Sequence, residues 1–195
     1  TNPWQRGTSF AAIAAGAYSA DRWNIWKNTS AVVTASKAAD APTAAQAGIY
    51  TSHCLSLACT TADTSVAASD EFALRHQIEG LNTVSFGFGQ AGTRYVTLSF
   101  WVKGTKTGIH CVSIRNGDAS RSYVAEYTIA STNTWEYQTI TIAVDTTGTW
   151  LYTNGIGLYL SFALIAGTSL HASADTWTAG NYIATSNQVN ALDST

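Results

Sequence analysis

The stretch Val96 to Gly104, VTLSFWVKG, constrains this chain more than any other. Val96, Leu98, Phe100 and Val102 fall on one side of an extended segment, and Thr97, Ser99, Trp101 and Lys103 on the other. Successive side chains of a strand point to opposite faces, so this period-two alternation marks a half-buried β-strand. The outward row is unusual in carrying a tryptophan, a residue normally kept at least partly covered. Three further segments repeat the pattern. Ile140, Ile142 and Val144 alternate with Thr139, Thr141 and Ala143; His110, Val112 and Ile114 alternate with Ile109, Cys111 and Ser113; Ile156, Leu158, Leu160, Phe162 and Leu164 form one row. Four such strands separated by Gly and Asn indicate packed antiparallel sheets.

A chain of 195 residues fits one all-β domain spanning 1–195. It is long enough to bury about 70% of the surface its unfolded form exposes, so a core needs neither disulfide nor metal. Only 11% of the residues are charged, against about 25% in an average soluble domain. Ser, Thr, Asn, Ala and Gly replace them and leave a neutral polar surface suited to sugar or protein contacts. The net charge is −2, and the 10 basic residues are scattered. Nucleic-acid binding needs clustered Lys and Arg, so no nucleic-acid partner is expected.

Cys54, Cys59 and Cys111 cannot all pair within one chain, and strand geometry points Cys54 and Cys59 to opposite faces. Buried free thiols are expected. His53-Cys54 and His110-Cys111 are two His-Cys pairs on separate strands, but neighbours on a strand diverge, so the four do not converge on zinc without a bulge. No metal and no cofactor is expected. The apolar run Phe10 to Tyr18 is too short to span a bilayer and reads as a loop or strand, without membrane insertion. Methionine is absent, which suggests a processed chain or a fragment of a longer protein.

Along the chain, Ala31 to Gln46 reads as a long connection or weak edge strand, Ile49 to Cys59 as a strand, and Phe72 to Ile78 as another. Phe86 and Phe88 stand in the loop Asn82 to Thr93, where polar residues are the norm, and are expected to bury against another chain. Turns are signalled at Asn116-Gly117-Asp118, Asp145 to Gly148 and Asn154-Gly155. The tail from Trp177 is polar and Asn-rich, with no closing apolar strand.

Six segments then occur in a telling order: WQRGTSF at Trp4, YSADRW at Tyr18, LRHQIEGLNTV at Leu74, VTLSFWVKG at Val96, TWEYQTITIAVDTTGTW at Thr134 and WTAGNYIATSNQVNALDST from Trp177. This series resembles a domain of tail-fibre and other virion proteins of tailed bacteriophages, especially marine and cyanobacterial ones, and the match runs nearly end to end. The resemblance implies a jelly-roll sandwich related to carbohydrate-binding modules, at the C-terminal end of a longer structural protein. In related sugar-binding jelly rolls the two chain ends supply oxygen ligands for a structural calcium. Here the leading segment is shortened to Thr1-Asn2-Pro3 and the family's final strand after Asp193-Ser194-Thr195 is missing. Few of the hard oxygen ligands calcium requires remain.

Sugars are held by C–H groups stacked on an aromatic ring while amides and hydroxyls bond their OH groups. Trp150 and Tyr152 border a Gly/Thr turn, and Trp177 and Tyr182 lie in the polar tail. These four are the candidate glycan platform. Trp23, Trp101 and Trp135 stand within strand pattern and are expected in core or interface. Catalysis has little support: a glycosidase needs two carboxylates across the scissile bond, Asp70-Glu71 is the only adjacent acidic pair, and Glu79 reads as a strand-end residue. No catalytic residue is assigned.

The expectation is therefore a virion structural protein of the tail fibre or capsid surface, not an enzyme. It would touch host-surface polysaccharide, associate with itself as a homotrimer and contact other virion proteins. The alternative is a jelly roll that decorates the capsid or adapts one tail part to another, with a purely structural role.

Overall fold

A computed structural model describes residues 4–194. Eleven strands are defined among them: β1 (Ser9–Phe10), β2 (Trp23–Lys27), β3 (Val32–Ala38), β4 (Cys54–Thr61), β5 (Glu71–Glu79), β6 (Tyr95–Val102), β7 (Gly108–Asn116), β8 (Arg121–Ile129), β9 (Glu136–Ala143), β10 (Ile156–Ala166) and β11 (Trp177–Ala179). The α-helix Ala44–Ala47 has a Thr43/Gln46 capping box and ends on Gly48 in the left-handed region. No helix of the described residues is long and apolar enough to cross a membrane.

One layer is a six-stranded sheet in the order β11-β8-β7-β10-β5-β2; the other holds the separate sheets β1-β3-β4 and β6-β9. All ladders between named strands are antiparallel. The chain passes from β2 to the opposite layer for β3 and β4, returns for β5, crosses again for β6, returns for the β7–β8 hairpin, crosses for β9 and comes back as β10 between β5 and β7. This repeated wrapping makes the fold an antiparallel jelly-roll sandwich.

The alternation read from sequence sets the core. Val96, Leu98, Phe100 and Val102 of β6 face Val112 and Ile114 of β7, Ala125 and Tyr127 of β8, and Leu158, Leu160 and Phe162 of β10. Phe100 meets Tyr127 and Phe162 edge-on, with centroids 5.1 and 5.0 Å away. Each large apolar side chain hidden this way contributes about 1.5–3 kcal/mol. A second cluster lies between the sheets at the other end, where Ile25, Val33, Phe72 and Ile165 are fully buried and Leu192 packs beside them.

Several expectations need correction. Val32–Ala38 is neither connection nor edge but the middle strand of its sheet, with Val33 and Ala35 pointing inward. The strand expected from Ile49 starts only at Cys54, and Ile49 and Tyr50 are exposed. The tail from Trp177, read as polar and Asn-rich with no closing apolar strand, holds the short strand β11 paired with β8, and its Ile183, Ala184 and Leu192 are buried. Phe88 buries itself in the chain's own core, whereas Phe86 is exposed. Trp23 leans on His76 and Phe162 at the core margin. Cys54, Cys59 and Cys111 are free, with Cys111 buried. His53 and Cys54 stand at the start of β4 and His110 and Cys111 on β7, in opposite layers. Of the two ends considered for calcium, residues 1–3 lie outside the described residues, and Asp193 is ion-paired with Lys106.

Candidate functional site

After β10 the chain does not leave the sandwich. It runs back over the outer face of the six-stranded sheet, where Ile183 and Ala184 cover Cys111, Val124 and Ala163. Short parallel bridges tie Ala174 to Val124 and His171 to Ala184. The result is a groove of about 670 Å³, floored by β8 and walled by the segment from His171 to Asn187. Its volume is that of small-ligand clefts, roughly 300–1,000 Å³.

The groove is lined by one phenol ring and many neutral polar groups: Tyr182, Ser173, Thr178, Thr185, Ser186 and Asn187, with the His171 imidazole and Glu126. Glu126 is fixed from two sides, because its Oε1 accepts bonds from the Thr185 hydroxyl and from Asn187 Nδ2, the latter at 3.0 Å. Thr185 is anchored in turn, its backbone N–H lying 3.3 Å from Cys111 Sγ. The His171 Nε2 lies 3.0 Å from the Ala166 carbonyl oxygen. Tyr182 is aimed by its backbone: its N–H donates to the Ser122 hydroxyl at 2.9 Å, and Gly180, at φ 122°, precedes it. A Cβ on Gly180 would strike the Tyr182 ring at 2.7 Å, so glycine allows the ring to fold back over the chain.

The four aromatic residues expected to form one platform do not do so. Trp150, Tyr152 and Trp177 gather around Phe88, but as an inward plug: Trp150 is 8% exposed, and the Tyr152 hydroxyl donates to the Phe88 carbonyl. Trp177 Nε1 donates to the Ala143 carbonyl at 2.7 Å. The Gly/Thr turn beside Trp150 is polar, yet the ring turns inward because Phe88 offers a flat apolar partner. Tyr182 alone lines the groove. The residues around it were not found from sequence, since Glu126 and Asn187 are 61 positions apart and meet only after β8 and the tail are placed. The Asn-rich tail was the one available signal.

Other candidates fall elsewhere. Trp101 and Tyr137 face outward as cross-strand neighbours of β6 and β9, with centroids 5.3 Å apart, and Tyr95 is exposed near the other end of β6. Trp135 Nε1 donates to Asp40 Oδ1 at 3.2 Å. Of the carboxylates weighed for catalysis, Glu71 is buried and paired with Arg75, and Glu79 is exposed at the end of β5. Glu126 is the one carboxylate among the groove-lining residues. Among the described residues, no group of three or more His, Cys, Asp or Glu side chains is gathered as a metal requires.

No family model matches the chain. No curated protein matches it either. Two solved structures align with the chain. The enzymatically active domain of bacteriophage CBA120 tailspike protein 4 aligns over 73% of this chain with 16% identity and a TM-score of 0.46; the chain spans 17% of that tailspike chain. The C-terminal family 22 carbohydrate-binding module of Clostridium thermocellum Xyn10B aligns over 83% of this chain and 86% of its own, with 14% identity and a TM-score of 0.36.

Proposed function

We propose that this chain is a non-catalytic, glycan-contacting module of a bacteriophage virion structural protein, carried on a tail fibre or capsid surface. The groove at Tyr182 supports the glycan reading above all: one phenol ring, flanked by Asn187, Ser and Thr side chains, in a cleft of about 670 Å³. A pyranose stacked on Tyr182 would present its hydroxyls to those amide and hydroxyl groups. A single ring contact contributes about 1 kcal/mol by analogy with aromatic pairs. Such a site is weak alone and gains strength from many linked copies, as avidity adds affinity without new contacts. That fits a repeated virion part, and a homotrimer contacting other virion proteins is the proposed state. The virion role itself draws on the resemblance in segment order from Trp4 to Thr195.

The alternative, a structural jelly roll that decorates the capsid or joins tail parts, draws on the exposed Tyr95 and Tyr137 on the outer face of β6–β9. A glycan array probed with the isolated chain separates the two. Binding of neutral glycans that falls about fivefold in Tyr182→Ala and in Asn187→Ala supports the first reading. Silence on the array, with self-association that weakens in Tyr95→Ser/Tyr137→Ser, supports the second.

A further inference from the structure

Away from the groove, the outer face of the six-stranded sheet carries a ladder of alternating rings and guanidinium groups. Trp26 on β2, Arg75 on β5, Tyr159 on β10 and Arg115 on β7 stand on four neighbouring strands. Arg75 Cζ lies 4.8 Å from the Trp26 ring centroid and 5.1 Å from that of Tyr159. Arg115 Cζ lies 5.5 Å from the same Tyr159 ring. Strand register explains the order, since Tyr159 is paired with Arg115 and Gln77, and Arg75 with Asn24 and Ser161. Four strands in sequence span about 14 Å at 4.8 Å per step.

The ladder is short of negative charge and of hydrogen bonds. Arg75 is 7% and Arg115 2% exposed. Arg75 is paired with Glu71 at 3.1 Å. Arg115 forms no ion pair among the described residues; its partners are the neutral Ser161 hydroxyl at 3.0 Å and the Asn181 side-chain oxygen. On this one face, Arg75 Nε, Arg115 Nε, Asn24 Oδ1 and Ser113 Oγ are buried with no hydrogen-bond partner. A buried guanidinium without an anion is costly, and so is each buried polar atom left unbonded. Burial and the neighbouring Arg75 together push the Arg115 guanidinium down to about 10. Two cations share one carboxylate here, and this excess of positive charge favours an anion at the face.

The exposed groups indicate which anion. Trp26 is 43% exposed beside Arg75 and offers a flat ring next to a cation. Asn181, also exposed, lends Arg115 an amide oxygen where a carboxylate would bind more strongly. We propose that this face binds an acidic oligosaccharide, with a pyranose ring resting on the exposed Trp26 and its uronate carboxylate held at the face by the positive charge of the Arg75–Arg115 pair beneath. The proposal rests on the reading of the chain as a glycan-contacting module, but on residues separate from the groove.

The test is calorimetric titration of the intact chain with oligogalacturonate, with its methyl ester and with a poly-glutamate peptide. Oligogalacturonate binds and the neutral ester binds at least tenfold more weakly. Trp26→Ala lowers uronate affinity at least tenfold, and Tyr50→Ala, at a remote exposed position, leaves it within twofold. Asn181→Asp, which supplies Arg115 with a carboxylate of its own, lowers uronate affinity at least tenfold while raising the melting temperature. Both key substitutions are at exposed positions, so the fold survives them. Absence of uronate binding, equal binding of the ester, or affinity unchanged in Asn181→Asp overturns the proposal. Equal binding of poly-glutamate overturns the saccharide assignment in favour of an acidic peptide. Neutral-glycan binding that depends on Tyr182, seen without any uronate binding, overturns this proposal and leaves the groove reading intact.

Discussion

Phe88 and Trp150 stack with ring centroids 4.3 Å apart and planes 20° from parallel. Trp177 meets both edge-on, at 5.8 and 5.5 Å. Three residues from three separate loops and edges thereby close one end of the sandwich, and the Trp150 indole N–H is satisfied by the Thr147 carbonyl at 2.8 Å. Trp150→Ala leaves a cavity that these neighbours cannot fill. The expected loss is about 3–5 kcal/mol in urea unfolding, with unchanged glycan affinity under conditions where the variant remains folded. Reduced affinity in a fully folded variant would instead return Trp150 to the binding surface.

Beside that plug, Arg121 Nε donates to Asp145 Oδ2 at 2.6 Å, and Asp145 Oδ1 accepts from the Thr147 N–H and hydroxyl at 3.0 and 2.8 Å. Burial alone pushes the Asp145 carboxyl up, but the bonds from Arg121 and Thr147 outweigh it and hold it below the usual carboxylate range. A carboxyl with a lower pKa in the folded than in the unfolded chain contributes stability above the unfolded value, near 3.9. That contribution is lost as pH falls through the folded value. Asp145→Asn should therefore lower stability at pH 7, by about 1–2 kcal/mol for the charge-assisted bonds it weakens. The gap from wild type should narrow as unfolding curves are recorded from about pH 4 downward. A gap of constant size down to pH 2 would assign the loss to packing rather than charge.

All three thiols are shifted upward chiefly by burial, and Cys111 is the most enclosed, under Ile183 and Ala184. Raised thiols are slow nucleophiles. Labelling with a thiol-specific disulfide reagent at pH 7 should modify Cys111 only at the global unfolding rate. Dithiothreitol should leave the melting temperature unchanged. A drop in melting temperature on reduction would reveal a disulfide that the geometry does not contain.

The two layers were legible wherever large apolar residues alternate. The inward row of VTLSFWVKG packs as its pattern requires; β8 carries the same signal in Tyr123, Ala125, Tyr127 and Ile129, although it was not among the strands read from the sequence. β3 reads only as a connection or a weak edge strand because its inward positions are Val33 and Ala35, and a buried alanine looks like a loop alanine in a list of letters. The sites were far less visible. Trp26, Arg75, Tyr159 and Arg115 come from strands distant in the chain, and only the register of β10 against β5 and β7 makes them neighbours. Tyr182 was readable as an aromatic in a polar tail, whereas Glu126, its companion in the groove, sits on a core strand with nothing local to mark it.

Gly157 and Gly80 cross at the mouth of β10 so closely that neither can carry a side chain. A Cβ on Gly157 would lie 2.5 Å from Gly80 Cα and 2.9 Å from the Leu151 carbonyl oxygen; one on Gly80 would lie 2.3 Å from that same oxygen. Backbone bonds lock the crossing, with Gly80 N–H donating to Gly155 at 2.9 Å and Leu81 N–H to Thr153 at 3.0 Å. Neither glycine has a positive φ, so the restriction is steric rather than conformational. Gly157→Ala must push two backbone segments apart, and the expected cost is about 2–3 kcal/mol. Gly155→Ala is the matched control, because its Cβ meets nothing closer than 3.5 Å. Its stability should stay within about 0.5 kcal/mol of wild type. Equal effects of the two substitutions in urea unfolding would mean that loss of glycine flexibility, and not the crossing, sets the cost.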